Sequence, residues 1–312
     1  MSLRLAGLCT CLAAVFSTSI GSADIIFSDN YDRPDNRNID GSIQGIIDNT
    51  GSNLSIDSTY LHGFIDPNND TGIDGNAANG GGAQIIGNQL ELADGAGTSN
   101  TFINHNFTNQ TFLNAGGFNL TLDIAGTQGQ SSGAFGGGFA IGMTMAEALD
   151  TGDALQGEGS STNNYKMQDG LLDGANTVDE IAISDFWTVL RADGTLVWGG
   201  FGNSVTGTDE SGLFGSLAVG SDAGTLSADF FFSDFTAGSN VDYDLYFDGV
   251  LAGSGSFQWS DTDSNYIGLE GRDSNGVLFD NLTIAAVPEP ASGSCLAMLA
   301  MFGLAWRRRS RG

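Results

Sequence analysis

Hydrophobic and polar residues alternate singly along several stretches of this chain. Phe118, Leu120, Leu122 and Ile124 interleave with Asn119, Thr121 and Asp123. Leu226, Ala228, Phe230 and Phe232 repeat the pattern, as do Val241, Tyr243, Leu245 and Phe247, with Asp242, Asp244 and Asp248 opposite. A period of two sends successive side chains to opposite faces. Each stretch therefore predicts a strand with one buried and one wet face, as in an antiparallel sandwich sheet. Further strands are predicted at 25–28, 84–92, 101–107, 135–143, 186–190, 196–198, 265–270 and 277–284, about eleven in all. Asp193-Gly194 and Asp248-Gly249 are tight hairpin turns, so neighbouring strands should pair in sequence. One short helix is predicted at 144–149, limited by Gly152 and Asp153.

Composition agrees with short strands and tight turns: 47 glycines and only four prolines among 312 residues. The glycine-rich stretches 72–82 and 126–138 are long for hairpin loops and are where a ligand site could be built. The stretch 24–286 holds five basic residues against thirty-six acids, a net charge near −31. Such a field repels nucleic acid and anionic membrane and attracts divalent cations, which excludes a nucleic-acid-binding role.

The two ends of the chain read as routing devices. Arg4, the apolar stretch from Leu5 to Phe16, and Gly21-Ser22-Ala23 ahead of Asp24 have the layout of a secretory signal peptide, 1–23, cleaved between Ala23 and Asp24. Cys9 and Cys11 leave with it and Cys295 lies in the far tail, so the folded region has no cysteine and needs its core, with or without metal, to hold together. At the other end, 287–312, Val287-Pro288-Glu289-Pro290 precedes an uncharged apolar run, 291–306, and the basic residues Arg307, Arg308, Arg309 and Arg311. Sixteen helical residues reach about 24 Å, somewhat short of a ~30 Å hydrocarbon core, which suits a transient membrane anchor. The arginines stay cytoplasmic.

This order of elements resembles the bacterial PEP-CTERM sorting signal. The resemblance implies export through the inner membrane, cleavage near Pro288-Glu289-Pro290 by an exosortase, and delivery to the cell surface or its extracellular matrix. Between the ends, residues 24–286 form one expected domain. The segment from Tyr243 to Phe257, followed by Asn265-Tyr-Ile-Gly-Leu-Glu270 and Leu278-Phe-Asp-Asn-Leu-Thr-Ile284, is similar to the closing strands of concanavalin A-like (laminin-G-like) jelly rolls. Asp29-Asn-Tyr-Asp-Arg-Pro-Asp35 and Ile86 to Leu92 are similar to the opening of such domains. That resemblance implies an all-β antiparallel β-sandwich. The family includes lectins, adhesive modules and glycan-cleaving enzymes, so the fold does not choose among them.

Candidate chemistry is sparse. A retaining glycosidase needs two carboxylates roughly 5 Å apart, supplied on a strand by closely spaced acids. The six glutamates of the folded region, Glu91, Glu147, Glu158, Glu180, Glu210 and Glu270, are nowhere within five residues of each other. The only histidines are His62 and His105. No catalytic residue is therefore assigned. A hydrolase or lyase on the same fold would need acids distant in sequence, such as Glu180 with Asp185 or Glu270 with Asp273. Asp66, Asn68, Asp70 and Asp74 put oxygen ligands at the first, third, fifth and ninth positions of a loop, a spacing hard cations favour, so Ca2+ is the one cofactor considered. Thr71 and Ala77 depart from the usual glycine and glutamate of such loops. Asp261, Asp263 and Asn265 form a second such cluster. Tyr165, in a polar loop, and Trp259, beside Asp261, are the candidate sugar-stacking rings. The expectation is a non-enzymatic exported protein that binds extracellular polysaccharide, adheres, or builds matrix.

Overall fold

The alternating segments fold as strands, and their registers set the apolar sets side by side. The computed structural model describes residues 23–287 except 37–38, 40–43, 53, 56–58, 62–82, 93–96, 130, 134, 151–164, 167–180, 183, 201–212 and 274–275. Ala23–Val287 forms one compact unit; Met1–Ser22 and Pro288–Gly312 lie outside the described residues.

The elements run β1 (Ile25–Asp29), β2 (Ile47–Asp48), β3 (Tyr60–Leu61), β4 (Ala83–Ile86), β5 (Gln89–Leu92), β6 (Gly97–Ile103), α1 (Gln110–Ala115), β7 (Gly117–Thr127), β8 (Gly136–Met143) and α2 (Met145–Asp150). They continue with β9 (Tyr165–Lys166), β10 (Ile181–Ala182), β11 (Phe186–Arg191), β12 (Thr195–Gly199), β13 (Leu213–Ala218), β14 (Gly224–Phe231), β15 (Asn240–Phe247), β16 (Val250–Gln258), β17 (Tyr266–Asp273) and β18 (Val277–Ala286). Two antiparallel sheets result. The first is ordered β16-β15-β14-β7-β18-β1-β2, with the β4–β5 hairpin joined to β18; the second is ordered β13-β12-β11-β8-β17-β6-β3. Strands β9 and β10 form a separate parallel pair. The protein is thus an all-β antiparallel sandwich.

The core lies between the sheets. Leu226, Ala228 and Phe230 sit opposite Leu122, Leu120 and Phe118, and Tyr243 and Leu245 extend the same face. From the second sheet Phe139, Ile141, Phe186, Leu190, Leu196 and Trp198 join this cluster. Burying each large apolar side chain contributes about 1.5–3 kcal/mol. The other face of the first sheet is wet and acidic. Asp229 and Asp244 stand directly opposite there, and Asp229 accepts a hydrogen bond from Asn119 Nδ2. Partial burial first, and the neighbouring Asp244 charge second, push the Asp229 carboxyl above its ordinary pKa.

The second sheet departs from the expected pattern. Phe102, Ala140, Met143, Trp187, Val189 and Val197 form a second buried cluster on its other face, so this sheet is buried on both sides. Other differences have local causes. The 84–92 stretch is two strands, because Gly87 and Asn88 both adopt positive φ, 57° and 64°, and fold it into a two-residue hairpin. The 126–138 loop shrinks to 128–135, since β7 takes up Gly126 and β8 takes up Gly136, Gly137 and Gly138. Pairing in sequence holds for β11–β12 and β15–β16, but β18 inserts between β7 and β1, and β17 between β8 and β6. Helix α1 was not expected; six residues carry too little periodicity to stand out.

Near the start of the chain a polar knot sits inside the core. Arg33 meets Asp29 through two hydrogen bonds, 2.7 and 3.0 Å, with both side chains fully buried. Tyr60 Oη donates to the second Asp29 oxygen at 2.9 Å, and the Tyr31 amide to the first at 2.8 Å. The early Asp29-to-Asp35 segment therefore closes one region of the sandwich with a buried ion pair.

Candidate functional site

One end of the sandwich gathers loops from both sheets, and this is where polar side chains converge. Asn265 ties three segments together. Its amide donates to Asn106 Oδ1 at 2.8 Å, its Nδ2 donates to the Phe107 carbonyl at 3.2 Å, and its Oδ1 accepts the Gly142 amide at 3.0 Å. Gly142 is forced to be glycine: its φ is +77°, and a Cβ there would collide with Asp185 and Trp259. Asn106 Nδ2 donates to the Asp263 carbonyl, and the Asp263 amide to Phe235. Asp263 is exposed and has φ +55°.

Asp185, just before β11, is 2% exposed and accepts the Ser260 amide on both oxygens, 3.1 and 3.0 Å. Burial raises its carboxyl to a pKa of about 8; the Ser260 bonds oppose the shift, and the charges of Glu147 and Asp261 add to it. Burial thus favours its protonated form up to near-neutral pH, bonded to the β16–β17 turn. Glu147 forms a capping box with Thr144, accepting the Thr144 amide at 2.7 Å while its own amide donates to Thr144 Oγ1 at 3.1 Å. Burial raises its pKa as well.

The expected site residues fall out as follows. Trp259 is 1% exposed and lies among Phe232, Phe235 and Phe257, with centroids 5.4–5.9 Å away. It is a core ring and offers no face to a sugar, because the β16–β17 turn folds its side chain inward. Tyr165 belongs to β9, paired with Ile181. Asp66, Asn68, Asp70 and Asp74 lie outside the described residues, as do Pro288, Glu289, Pro290, Arg307, Arg308, Arg309 and Arg311. Val287 is the last described residue and donates its amide to the Gly117 carbonyl. Ala23 and Asp24 precede β1, and the Asp24 carbonyl accepts the Ala286 amide. The Asp261–Asn265 cluster does not fit a cation, since Asn265 is fully buried with both side-chain ends committed to backbone. Among the described residues no three His, Cys, Asp or Glu side chains converge as a metal site, and no helix is long and apolar enough to cross a membrane.

The described glutamates are built into the structure. Glu91 is buried and accepts hydrogen bonds from Gln84 and Gln128. Glu147 caps α2, and Glu270 is 2% exposed in mid-β17, opposite Asn100 and Gly138. Glu180, the suggested partner of Asp185, lies outside the described residues. His105 bonds Ser52 Oγ at 2.6 Å and packs edge-on against Phe107 at 4.6 Å, and burial lowers its pKa. His62 lies outside the described residues. The Asp185–Ser260 link escaped the sequence reading because its partners are 75 residues apart.

Comparison with known proteins gives two results. Residues 286–309 match the PEP-CTERM protein-sorting motif, which marks proteins exported and sorted by exosortase to the cell surface or extracellular space. The chain therefore carries that sorting signal behind an all-β sandwich. No curated protein matches it in sequence. Solved structures similar to the chain include a legume lectin-like domain from Entamoeba histolytica, 11% identical over 66% of this chain and 88% of that one, TM-score 0.40. The VIP36 exoplasmic/lumenal domain in its Ca2+/Man3GlcNAc-bound form is 6% identical over 66% and 81%, TM-score 0.40. A sialidase is 10% identical over 83% of this chain and 19% of its own, TM-score 0.39.

Proposed function

We propose that the protein is a non-enzymatic surface or extracellular-matrix component, anchored briefly in the inner membrane by 291–306, cut near Pro288-Glu289-Pro290, and used to bind or adhere to extracellular polysaccharide. The single observation that carries the reading is the match of residues 286–309 to the sorting motif. The domain attached to it supports the non-enzymatic part. Its described glutamates cap, brace or fill the fold, and Asp185 is buried with both oxygens committed to the Ser260 amide. The domain's acidity supports a soluble role away from anionic surfaces.

Two experiments test this. Replacing Pro288, Glu289 and Pro290 together with alanine makes full-length precursor accumulate in the membrane fraction; unchanged processing and release overturns the sorting half. A glycan array run beside a reducing-sugar release assay tests the other half. Binding without turnover is expected, and turnover abolished by one Glu substitution would make the protein a polysaccharide hydrolase or lyase.

A further inference from the structure

The two sides of the sandwich are finished very differently. On one side the sheets end in two-residue strands, β2 and β3. On the other they end in the six-residue β13 and the nine-residue β16, neither of which has a partner on its outer flank among the described strands. The two long edges lie beside each other, because Trp198 reaches both. A Cβ placed on Gly215 of β13, or on Gly253 of β16, would collide with the same Trp198 Cζ2. Chain direction fixes the rest. β13 leads through Val219 into β14, where Thr225 bonds Asp248 at the head of β16. Leu217 and Leu251 are thus at the same end of this side, and Leu213 lies toward the other.

Natural edges of this length are usually blunted by charge, proline or a covering element. Here the sequences are Leu-Phe-Gly-Ser-Leu-Ala and Val-Leu-Ala-Gly-Ser-Gly-Ser-Phe-Gln, fifteen residues with no charge and no proline. They also hold five of the ten exposed large apolar residues among those described: Leu213, Phe214, Leu217, Val250 and Leu251, the last two 70% and 54% exposed. Phe214 stacks on Tyr243 at 6.0 Å and 18°, so its place on this rim is fixed.

We infer that this side is an interface for a second copy of the chain, with β16 pairing antiparallel to its counterpart and continuing the first sheet across a two-fold axis. Charge selects the occupant. A domain of net charge near −31 repels its own copies wherever acids face each other. Strands β13 and β16 carry no acid of their own, and the nearest, Asp242, Asp244 and Asp248, lie one strand in or at the turn, so a like-charged copy meets less repulsion here than over the acid-bearing faces. Antiparallel strand pairing is self-complementary and thus suits a two-fold dimer.

The test uses residues 24–287, a unit whose first strand pairs with its last. Sedimentation velocity at roughly 100 μM, where micromolar association is populated, should show a dimer. Leu251→Lys, at an exposed position that does not disturb folding, should weaken self-association about tenfold or more, ~1.4 kcal/mol. Because this region has no cysteine, Ser254→Cys should give a disulfide-linked dimer under mild oxidation, and Ser233→Cys should not. A monomer at that concentration overturns the inference. So does a dimer indifferent to Leu251→Lys, or cross-linking that is equal at both positions.

Discussion

Asp185→Asn should leave the protein better folded at neutral pH than the native chain, by an amount that grows with pH. The carboxyl is 2% exposed and titrates at about 8 in the folded state, against an ordinary value of 3.8. Between those values the native state holds a proton that the unfolded chain releases. Its contribution to stability is therefore complete below about pH 4 and is lost as pH rises toward 8, at about 1.4 kcal/mol per pH unit. From pH 5 to pH 7 the native chain should lose about 3 kcal/mol through this group alone. Asparagine keeps an acceptor for the Ser260 amide in a side chain of the same shape, and has no proton to hold. The remaining acids, Glu147 and Asp261 included, are common to both chains and largely cancel in the difference. Urea unfolding at pH 5, 6 and 7, with equal m-values, reads that difference directly. It should widen in favour of the variant by about 1.4 kcal/mol per unit and level off above pH 8. A pH-independent difference would mean that Asp185 is already ionised at pH 5, and the account of a neutral buried acid would be wrong.

Arg33→Ala strips the buried Asp29 of its counter-ion and should cost about 3–5 kcal/mol by thermal or chemical unfolding; replacing both partners, Asp29→Leu with Arg33→Met, should cost less than that single change. Gly253→Ala and Gly215→Ala each drive a methyl group into Trp198 and should each destabilise by about 1–3 kcal/mol, while Ser254→Ala on the same exposed edge stays within about 0.5 kcal/mol. If the loop carrying Asp66, Asn68, Asp70 and Asp74 takes up calcium, a hundredfold excess over Kd should stabilise the domain by about 2.7 kcal/mol. Scanning fluorimetry with calcium and then with chelator measures this, and Asp70→Ala should abolish the shift.

What could be read from the sequence follows from which residues report their surroundings. Strands β7, β14 and β15 were legible because one face of the first sheet is wet, so their polar and apolar residues alternate. Strand β8 is buried on both faces, and its run of glycines and apolar residues marked a strand without revealing the double burial. Strand β13 was missed, and β16 was reached only through the Asp248-Gly249 turn and the resemblance over Tyr243 to Phe257, because an exposed edge built of glycine, serine and leucine has no face to distinguish. The same physics limits the loop end. Asp261 and Asn265 looked like cation ligands because spacing counts oxygens but not the directions in which they point; Asn265 turns inward to hold Gly142 and Phe107. Trp259 looked available to a sugar because it lies two residues from Asp261, yet β16 ends at Gln258, so strand alternation no longer ties the two side chains to one face, and this ring faces the aromatic core. A sorting tail is recognised as a linear string, so its residues suffice to identify it. A binding surface depends on which side chains the turns leave outside, and here those turns are stapled by contacts such as Asp185 to Ser260 that join residues far apart in the chain.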